Sequence, residues 1–321
     1  MARWLVTGGC GFIGSHLVEA LLKRGDRVRI LDDLSNARRH PEIEGAELLI
    51  GDVADRKIVL DAMTGVEGCF HLAAVASVQR CTEDWLGTHR SNLTGTITVF
   101  DAARRINPMA PLPVVYASSA AVYGANPHMP LAETAATHPL SSYGADKLGC
   151  ELHAQIAWPV HRIPNLGLRF FNVYGPRQDP RSPYSGVISV FVDKTVNHRT
   201  IDIFGDGTQV RDFIYVADIV AYLLAAMADL RSGARIFNLC TGRATSVIEL
   251  ANIIGEIVGR RSRIEYHPAR VGDIRVSLGD PTAATKAFGF AAATSIRDGL
   301  RRTLDFMSEH VCDTVGSGNH D

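Results

Sequence analysis

The chain has 321 residues, of which 46% are hydrophobic and 21% charged, and its formal net charge is -1. This length allows a full hydrophobic core and predicts a globular protein with one large and one smaller lobe. Because no basic block stands out, we do not expect a nucleic-acid partner. No run of about 18 apolar residues occurs, so we expect no membrane span.

The start of the chain and the cysteines indicate a cytoplasmic enzyme. Residues 1–3 lead directly into the apolar Trp4-Leu5-Val6 and then into glycines, which leaves no room for the apolar core of a signal peptide. The 6 cysteines are scattered, without a C-x-x-C pair and without a histidine cluster at metal-ligand spacing. We therefore expect reduced thiols and no metal site.

A glycine turn follows the first predicted strand. The apolar run Arg3 to Thr7 leads into Gly8-Gly9-Cys10-Gly11-Phe12-Ile13-Gly14, after which apolar residues recur at helical spacing. Such a strand, turn and helix brings free N–H groups and the positive end of a helix dipole to a pyrophosphate. The spacing is G-x-x-G-x-x-G, and a tight turn without a ligand is the alternative interpretation.

An acidic residue ends the second predicted strand, Arg27 to Leu31, and indicates which dinucleotide would bind. Asp32 lies 18 residues after Gly14. An acid there accepts hydrogen bonds from the adenosine ribose hydroxyls and repels a 2′-phosphate, which favours NAD over NADP. Arg38 and Arg39 follow closely and are the groups that such a phosphate would meet, although a solvated loop explains them more simply.

Short apolar strands and helical segments alternate along the first half of the chain. Glu47 to Ile50 precedes Asp52, which would bond an adenine amine; Arg56 to Met63 is helix-like; and Cys69 to Ala74 is a buried strand that ends in small residues. This alternation predicts an α/β fold with a Rossmann-type, doubly wound parallel sheet. Ligands gather at the carboxyl ends of the strands in such a sheet.

Two further segments carry polar residues toward those strand ends. The amphipathic segment Trp85 to Arg105 contains Asn92, which by itself is most simply a buried packing group. The apolar strand that begins at Val114 ends in Ser118-Ser119, whose hydroxyls would face a bound ligand.

A tyrosine and a lysine lie four residues apart in the next helical segment. This helix is predicted from Ser142 to His153, and Trp158-Pro159 is expected to close it. Tyr143 and Lys147 would then lie one turn apart on the same face, where the ammonium favours the phenolate and so an acid/base role.

Together these residues resemble the extended short-chain dehydrogenase/reductase superfamily and, within it, the NAD-dependent UDP-hexose 4-epimerases. The resemblance covers almost the whole chain up to about residue 309. Its matching segments are, in order, Gly8 to Gly14, Asp32, Asp52-Val53, Leu72-Ala73-Ala74, Asn92, Ser118-Ser119, Tyr143 with Lys147, Arg169 to Pro176, Phe204 to Gly207, Arg211 to Asp218 and Pro268 to Asp273.

The resemblance implies the reaction and the roles of three residues. Such enzymes oxidise C4 of a UDP-sugar with tightly held NAD, and the 4-keto sugar turns over in the site before the hydride returns to its other face. Tyr143 would take the C4 hydroxyl proton, Ser119 would hydrogen-bond the same oxygen, and Lys147 would bond the nicotinamide ribose.

The residues after Ser119 separate this reaction from those of related enzymes. The 4,6-dehydratases carry Thr-Asp-Glu where this chain has Ser119-Ala120-Ala121, and the UDP-glucuronate decarboxylases usually carry a Glu at Ala121. Because an alanine transfers no proton, epimerisation is the reaction that remains.

The resemblance also assigns two sets of binding residues. Cofactor binding falls to Gly8, Gly11, Phe12, Ile13, Gly14, Asp32, Asn36, Asp52, Val53, Leu72, Ala73, Ala74, Asn92, Tyr143, Lys147, Phe170 and Val173. Substrate binding falls to Ser119, Asn172, Val187, Arg211, Arg270, Asp273 and Ser277. In this second set Asn172 and the two arginines would hold the diphosphate, since a guanidinium fork suits phosphate oxygens. Asp273 would bond the uridine ribose.

Ser277 is the residue that bears on the choice of sugar. The resemblance places it beside the 2-substituent of the hexose, where a tyrosine is associated with glucose and galactose only. A serine leaves more room and predicts acceptance of UDP-N-acetylglucosamine and UDP-N-acetylgalactosamine, unless the alignment slips by one residue. Arg275 keeps a UDP-glucuronate 4-epimerase open as an alternative. A non-catalytic NAD(P)-sensing protein is a second alternative, against which Ser119, Tyr143 and Lys147 argue.

The predicted domains follow from these assignments. Residues 1–170, with about 211–240, would form the NAD-binding domain; 171–210 and 241–312 a smaller α/β substrate-binding lobe; and 313–321 a flexible tail. Helices are expected at 219–227, 247–258 and 295–309, and strands at 236–239 and 264–266. The resemblance implies a homodimer through the helices around 85–105 and 142–153.

Overall fold

The computed structural model describes residues 1–35, 43–179, 186–230, 232–270 and 274–315, with side chains up to residue 308. Its strands are β1 (Arg3–Thr7), β2 (Arg27–Asp32), β3 (Ala46–Ile50), β4 (Gly68–His71), β5 (Val114–Ser119), β6 (Asn165–Phe170), β7 (Asn172–Tyr174), β8 (Ile201–Phe204), β9 (Val210–Tyr215), β10 (Ala234–Leu239), β11 (Ala244–Ser246), β12 (Ile264–His267) and β13 (Val276–Ser277).

Its α-helices are α1 (Phe12–Lys23), α2 (Arg56–Met63), α3 (Val78–Glu83), α4 (Trp85–His89), α5 (Gly95–Ile106), α6 (Ser142–His161), α7 (Val187–Val196), α8 (Val216–Asp229), α9 (Val247–Val258), α10 (Thr282–Phe288) and α11 (Ile296–Val315). A π-helical turn, Arg90–Thr94, joins α4 to α5, and a 3₁₀ turn, Ala120–Tyr123, follows β5.

A parallel seven-stranded sheet in the order β10-β6-β5-β4-β1-β2-β3 forms the larger lobe. One face packs against α1 and α8 and the other against α2, α5 and α6. Both faces are therefore covered, and β6 is buried at every position. The strand order reverses between β1 and β4, where Thr7 and His71 are register partners at the carboxyl ends. The predicted Rossmann-type α/β sheet is confirmed.

The smaller lobe contains two short sheets. One has the order β11-β9-β13, with β7 also paired to β9, and the other joins β12 to β8. The sequence prediction places β9 with the NAD-binding domain from about residue 211, but this strand pairs within the smaller lobe. The reason is aromatic packing: Phe213 and Tyr215 of β9 form edge contacts with Tyr174 of β7. After β9 the chain returns to the large sheet through α8 and β10.

The predicted end of α6 at Trp158-Pro159 is wrong, since the helix continues to His161. Pro159 lacks an N–H to donate, but Gln155, the residue one turn earlier, lies on the exposed face, where water can satisfy its carbonyl. The helix ends at Arg162, which takes a left-handed conformation with φ 57° and donates its N–H to the carbonyl of Trp158, while Ile163 donates to that of Ala157.

Two general expectations can be compared with the described residues. None of their helices combines the length and the apolar composition that crossing a membrane requires. Five cysteines, those at positions 10, 69, 81, 150 and 240, are buried free thiols. The side chain of Cys312 lies outside the described part of the chain.

Candidate active site

The glycine turn after β1 closes tightly against the loop that follows β4. Gly8 has a φ of +71°, and a Cβ on it would lie 2.7 Å from the amide nitrogen of Ala73. A Cβ on Gly14 would lie 2.1 Å from the carbonyl oxygen of Gly8. Gly11 is the N-cap of α1 and makes no side-chain cap, so the N–H groups of the first turn, which includes Phe12 and Ile13, stay available to an anion.

Asp32 stands at the carboxyl end of β2 and bonds this turn. One carboxylate oxygen accepts the backbone N–H of Cys10 at 2.9 Å, and the other accepts that of Leu34 at 2.9 Å. Burial, with the charge of Asp32, raises the pKa of the Cys10 thiol to about 11. The carboxylate stands at the strand end where the hydroxyls of an adenosine ribose would lie. Asn36, together with Arg38 and Arg39, lies outside the described residues.

Asp52 and Val53 follow β3 on the same side of the sheet. The Asp52 carboxylate accepts the backbone N–H of Ala54 at 2.8 Å and the Nε–H of Arg90 at 3.0 Å. Val53 is buried against Gly95, where a Cβ would lie only 2.6 Å from its Cγ1. The close fit sets α5 against the segment that carries Asp52.

Asn92 lies fully buried in the π-helical turn and holds the loop after β4. Its Oδ1 accepts the N–H of Val75 at 2.8 Å, and its Nδ2 donates to the carbonyl of Val75 at 3.3 Å. The loop of Leu72, Ala73 and Ala74 is thereby fixed between β4 and this pair of bonds. Within the described structure Asn92 thus has partners for both ends of its amide.

His71, which the sequence analysis did not single out, completes the support of this loop. The amide of Ala73 donates to Thr7 Oγ1 at 3.3 Å, Thr7 Oγ1 lies 2.7 Å from His71 Nδ1, and His71 Nε2 lies 3.0 Å from Thr96 Oγ1. Thr96 donates its own hydroxyl to the carbonyl of Asn92, so the Nε2–H must be the donor to Thr96. Burial, with a smaller effect of Lys147, lowers the pKa of His71 to about 3, and the ring is neutral. Only the fold reveals this chain of bonds, because its members come from three separate segments.

Ser119 ends β5, and Lys147 of α6 bonds the same strand two residues earlier, at Ala117. Ser119 caps the 3₁₀ turn, and its Oγ accepts the N–H of Ala121 at 3.1 Å. The buried Lys147 donates from Nζ to the carbonyl of Ala117 at 2.9 Å and lies 5.9 Å from the centre of the Tyr143 ring. The ammonium of α6, with the Tyr143 ring beside it, therefore lies against the strand that ends in the serine.

Two more residues that are predicted to bind the cofactor lie at or beside the neighbouring strand ends. Phe170, the last residue of β6, is the register partner of Ser119. Val173 in β7 packs on the cores of both lobes. Both side chains are apolar and border the end of the sheet where the glycine turn and β5 lie.

The predicted substrate residues lie mainly in the smaller lobe. Asn172 donates from Nδ2 to the carbonyl of Asp212 at 3.1 Å. Arg211 is the register partner of Ser277, so these two residues are neighbours on adjacent strands. Arg270 is exposed and stacks its guanidinium 3.9 Å from the centre of the Phe204 ring. Asp273 lies outside the described residues.

Val187 opens α7, whose N-cap is Gly186. Gly186 has no side chain to cap the helix, so among the described residues no N-cap side chain competes with an anionic ligand for the first N–H groups.

Comparison with known proteins decides the family. The family described as "NAD dependent epimerase/dehydratase family" matches residues 4–240, which is most of the chain and includes the glycine turn, Asp32 and the Ser119, Tyr143 and Lys147 group. The chain belongs to this family. It is therefore an enzyme, and its cofactor is NAD, as the sequence predicts.

Individual relatives agree with this assignment over nearly their full lengths. A UDP-glucose 4-epimerase of Mycolicibacterium smegmatis is 36% identical over 312 residues, which is 95% of this chain and 98% of that protein. A UDP-glucuronate 4-epimerase of Thermodesulfobacterium geofontis is 29% identical over 97% of this chain and 98% of its own.

Two solved structures are similar in fold. A UDP-glucose 4-epimerase with UDP-glucose from Thermotoga maritima has a TM-score of 0.91 at 32% identity, over 96% of this chain and 99% of that one. A UDP-N-acetylglucosamine 4-epimerase from Methanobrevibacter ruminantium M1, in complex with UDP-N-acetylmuramic acid, has a TM-score of 0.90 at 32% identity over the same shares.

The residues of this epimerase/dehydratase-family chain fit NAD. A Cβ would not fit at Gly8 or Gly14, the N-cap of α1 is a glycine without a capping side chain, and β2 ends in the carboxylate of Asp32. These three features match a pyrophosphate and an unphosphorylated ribose.

We expect Gly8→Ala to remove the bound cofactor, because its Cβ would meet the backbone of the loop after β4. The amount of NAD released from the purified protein by acid should fall about tenfold or more, as for a lost phosphate cradle. Gly25→Ala is the matched control: Gly25 has a φ of +81°, and no atom lies within 4 Å of the position that a Cβ would take there. A Gly8→Ala protein that retains one NAD per chain would contradict this prediction.

Proposed function

We propose that this enzyme is an NAD-dependent 4-epimerase of UDP-hexoses, interconverting UDP-glucose with UDP-galactose and UDP-N-acetylglucosamine with UDP-N-acetylgalactosamine. The observation that carries the proposal is that Lys147, with the Tyr143 ring beside it, bonds the end of β5, where Ser119 is followed by two alanines. NAD, when bound, supplies the hydride chemistry at C4.

Each of the three side chains has a role that its contacts support. The Tyr143 phenol is the acid/base that takes the C4 hydroxyl proton and later returns it. Lys147 uses one N–H for the Ala117 carbonyl, which leaves two donors for the ribose and the phenolate. Ser119 Oγ accepts the N–H of Ala121, so its own hydrogen points elsewhere and suits an oxygen that is becoming a carbonyl.

The 3₁₀ turn after Ser119 disfavours elimination of water. Its first residues are Ala120 and Ala121, and neither carries a group that can accept or donate a proton in the reaction. Oxidation and return of the hydride are then the steps that this site supports.

The nucleotide diphosphate is assigned to the smaller lobe. Arg211 and Arg270 supply positive charge, and the N-terminus of α7 at Val187 adds the positive end of a helix dipole. We infer that the large sheet holds NAD and the smaller lobe holds the UDP moiety, so that the sugar lies between them. The similar Thermotoga maritima structure contains UDP-glucose, which supports a UDP-sugar as the ligand.

The position of Ser277 supports the wider choice of sugars. It lies in β13 beside Arg211, at the edge of the small sheet, and its side chain has one heavy atom beyond Cβ. Similarity to a UDP-N-acetylglucosamine 4-epimerase agrees with room for a 2-acetamido group. Arg275, two residues before Ser277, offers a cation for a C6 carboxylate and favours UDP-glucuronate as a second candidate substrate, although its guanidinium already bonds Thr208.

An exposed apolar stripe supports a homodimer. Leu152, Ile156 and Val160 recur every four residues along α6 and are 52 to 63% exposed. Trp85 and Leu86, at the start of α4, are 69% and 81% exposed. Large apolar side chains that recur on one face mark a protein interface, and we assign this one to a second copy of the chain.

We expect the purified enzyme, without added cofactor, to epimerise UDP-glucose and UDP-N-acetylglucosamine, followed as the C4 epimers by NMR. Tyr143→Phe should lower kcat on both by about a hundredfold or more, because the acid/base is lost. Tyr266→Phe, which alters an exposed tyrosine on β12, is the control and should keep wild-type turnover. Conversion of UDP-glucuronate alone would replace the proposed substrate, and conversion of none of the three with NAD added would refute the proposal.

Ser277→Tyr should narrow the choice of sugar, since a phenol ring would occupy the space assigned to the acetamido group. We expect kcat/KM on UDP-N-acetylglucosamine to fall about tenfold or more while that on UDP-glucose changes little. Ser277→Ala, which adds no volume, should leave both values near those of the wild type. Equal losses on the two sugars in Ser277→Tyr would argue against this role.

Ile156→Glu should shift the protein from two chains to one, because burying a carboxylate in the apolar stripe is unfavourable. The molar mass from light scattering after gel filtration measures the change. Gln155→Glu places the same charge on the adjacent exposed position, outside the stripe, and should leave the mass unchanged. A wild-type protein that is monomeric at micromolar concentration would show that the stripe is not a self-association surface.

A further inference from the structure

Helix α6 presents three functional groups on successive turns of one face. Tyr143, Lys147 and Glu151 are spaced four residues apart, so their side chains stand in a row. Lys147 bonds the carbonyl of Ala117 in β5, and Glu151 accepts the hydroxyl of Ser118, the next residue of that strand. Glu151 has no role in the proposed reaction, yet it contacts Ser118, the residue before Ser119.

Glu151 is held by a buried, two-pronged ion pair. Arg169 of β6 donates from Nε to Oε1 at 2.9 Å and from Nη2 to Oε2 at 2.7 Å. Exposed fractions are 2% for Glu151, 2% for Ser118 and 5% for Arg169. The planar fork and the carboxylate define one relative orientation of α6 and β6.

The same arginine also holds the far end of the 3₁₀ turn. Arg169 Nη1 donates to the hydroxyl of Tyr123 at 2.7 Å and to the carbonyl of Glu133 at 3.1 Å. Tyr123 in turn donates to Asn238 Oδ1 at 2.7 Å. Residues 119–122 are therefore tied at both ends to one buried pair, through Ser118 before them and Tyr123 after them.

We propose that Glu151, Arg169 and Ser118 are positioning residues, which set the place of Ser119 relative to Tyr143 and Lys147. This inference rests on the proposed function, in which the serine and the tyrosine act on the same C4 oxygen. A displacement of about 1 Å in such a pair lowers the rate about a hundredfold. A buried ion pair contributes little to net stability once desolvation is counted, so stability alone does not explain this one.

Asn165 provides a matched control for a purely structural role. It is fully buried at the first residue of β6 and joins the same helix and strand, since its Nδ2 donates to the carbonyl of Ala154 at 2.9 Å and to that of Ile163 at 3.0 Å. A strand rises about 3.3 Å per residue, so Asn165 lies about 13 Å from Arg169, at the other end of β6. Its loss should loosen the contact of α6 with β6 without moving Ser119.

The test compares Ser118→Ala with Asn165→Ala. Ser118→Ala removes one hydrogen bond to Glu151, leaves the ion pair intact and is the variant expected to fold; Glu151→Gln is the stronger variant. We expect kcat for Ser118→Ala to fall about ten- to hundredfold with KM within about twofold of wild type, whereas Asn165→Ala lowers the melting temperature and keeps kcat. Wild-type kcat in Ser118→Ala, or an equal loss of kcat in Asn165→Ala, would overturn the inference.

A second readout does not depend on any sugar being turned over. In protein labelled with ¹³C at tyrosine Cζ, the Tyr143 signal is identified by its loss in Tyr143→Phe. Ser118→Ala should shift this signal and Asn165→Ala should not. An unshifted signal in Ser118→Ala would overturn the positioning role. Failure of the wild type to epimerise any UDP-sugar, with the shift present, would instead refute the proposed function alone.

Discussion

The buried ammonium of Lys147 is the interaction on which the catalytic end of the sheet depends. A buried cation is costly unless it is hydrogen-bonded, and among the described residues its bond is to a neutral carbonyl, that of Ala117. The charged and titratable groups around Lys147 are consistent with this cation. His71 stays neutral, partly because of this charge, and serves as a hydrogen-bond bridge, not as a second cation. The next charge along α6, Glu151, is directed to Arg169 and leaves the ammonium facing the site.

A buried carboxyl group joins the two lobes. Asp212 in β9 accepts the N–H and the hydroxyl of Thr241 at 2.8 and 2.7 Å and the N–H of Gly242 at 2.9 Å, just after β10 of the large sheet. Burial raises the pKa of this carboxyl, and the hydrogen bonds oppose that effect. Because Arg211 precedes Asp212 and Ser277 pairs with Arg211, this one carboxylate relates the predicted substrate residues to the sheet that carries Ser119.

The sequence predicts the elements whose bounds are set by residues close together in the chain. β1, α2 and α9 have the predicted bounds, since strand–turn periodicity and caps determine them. Features that depend on distant segments were missed: the bridge through His71, the pair of Glu151 with Arg169, and the pairing of β9. β11 and β13 have 3 and 2 residues, too few for a periodic pattern. The end of α6 was misplaced because exposure, which the sequence does not report, decides whether Pro159 is tolerated.

Small residues around the site matter as much as the reactive ones in the proposed reaction. A 4-keto sugar that presents both faces to the same hydride position must turn, so the site has to hold the diphosphate firmly and the ring loosely. In the proposed reaction, positive charge at Arg211 and Arg270 would serve the first need, while Ala120, Ala121 and Ser277 would serve the second by leaving space and few hydrogen bonds. Larger polar side chains at these places would hold one face of the ring. Ser119 and Tyr143 must then keep fixed positions relative to each other, because in the proposed reaction only the sugar moves.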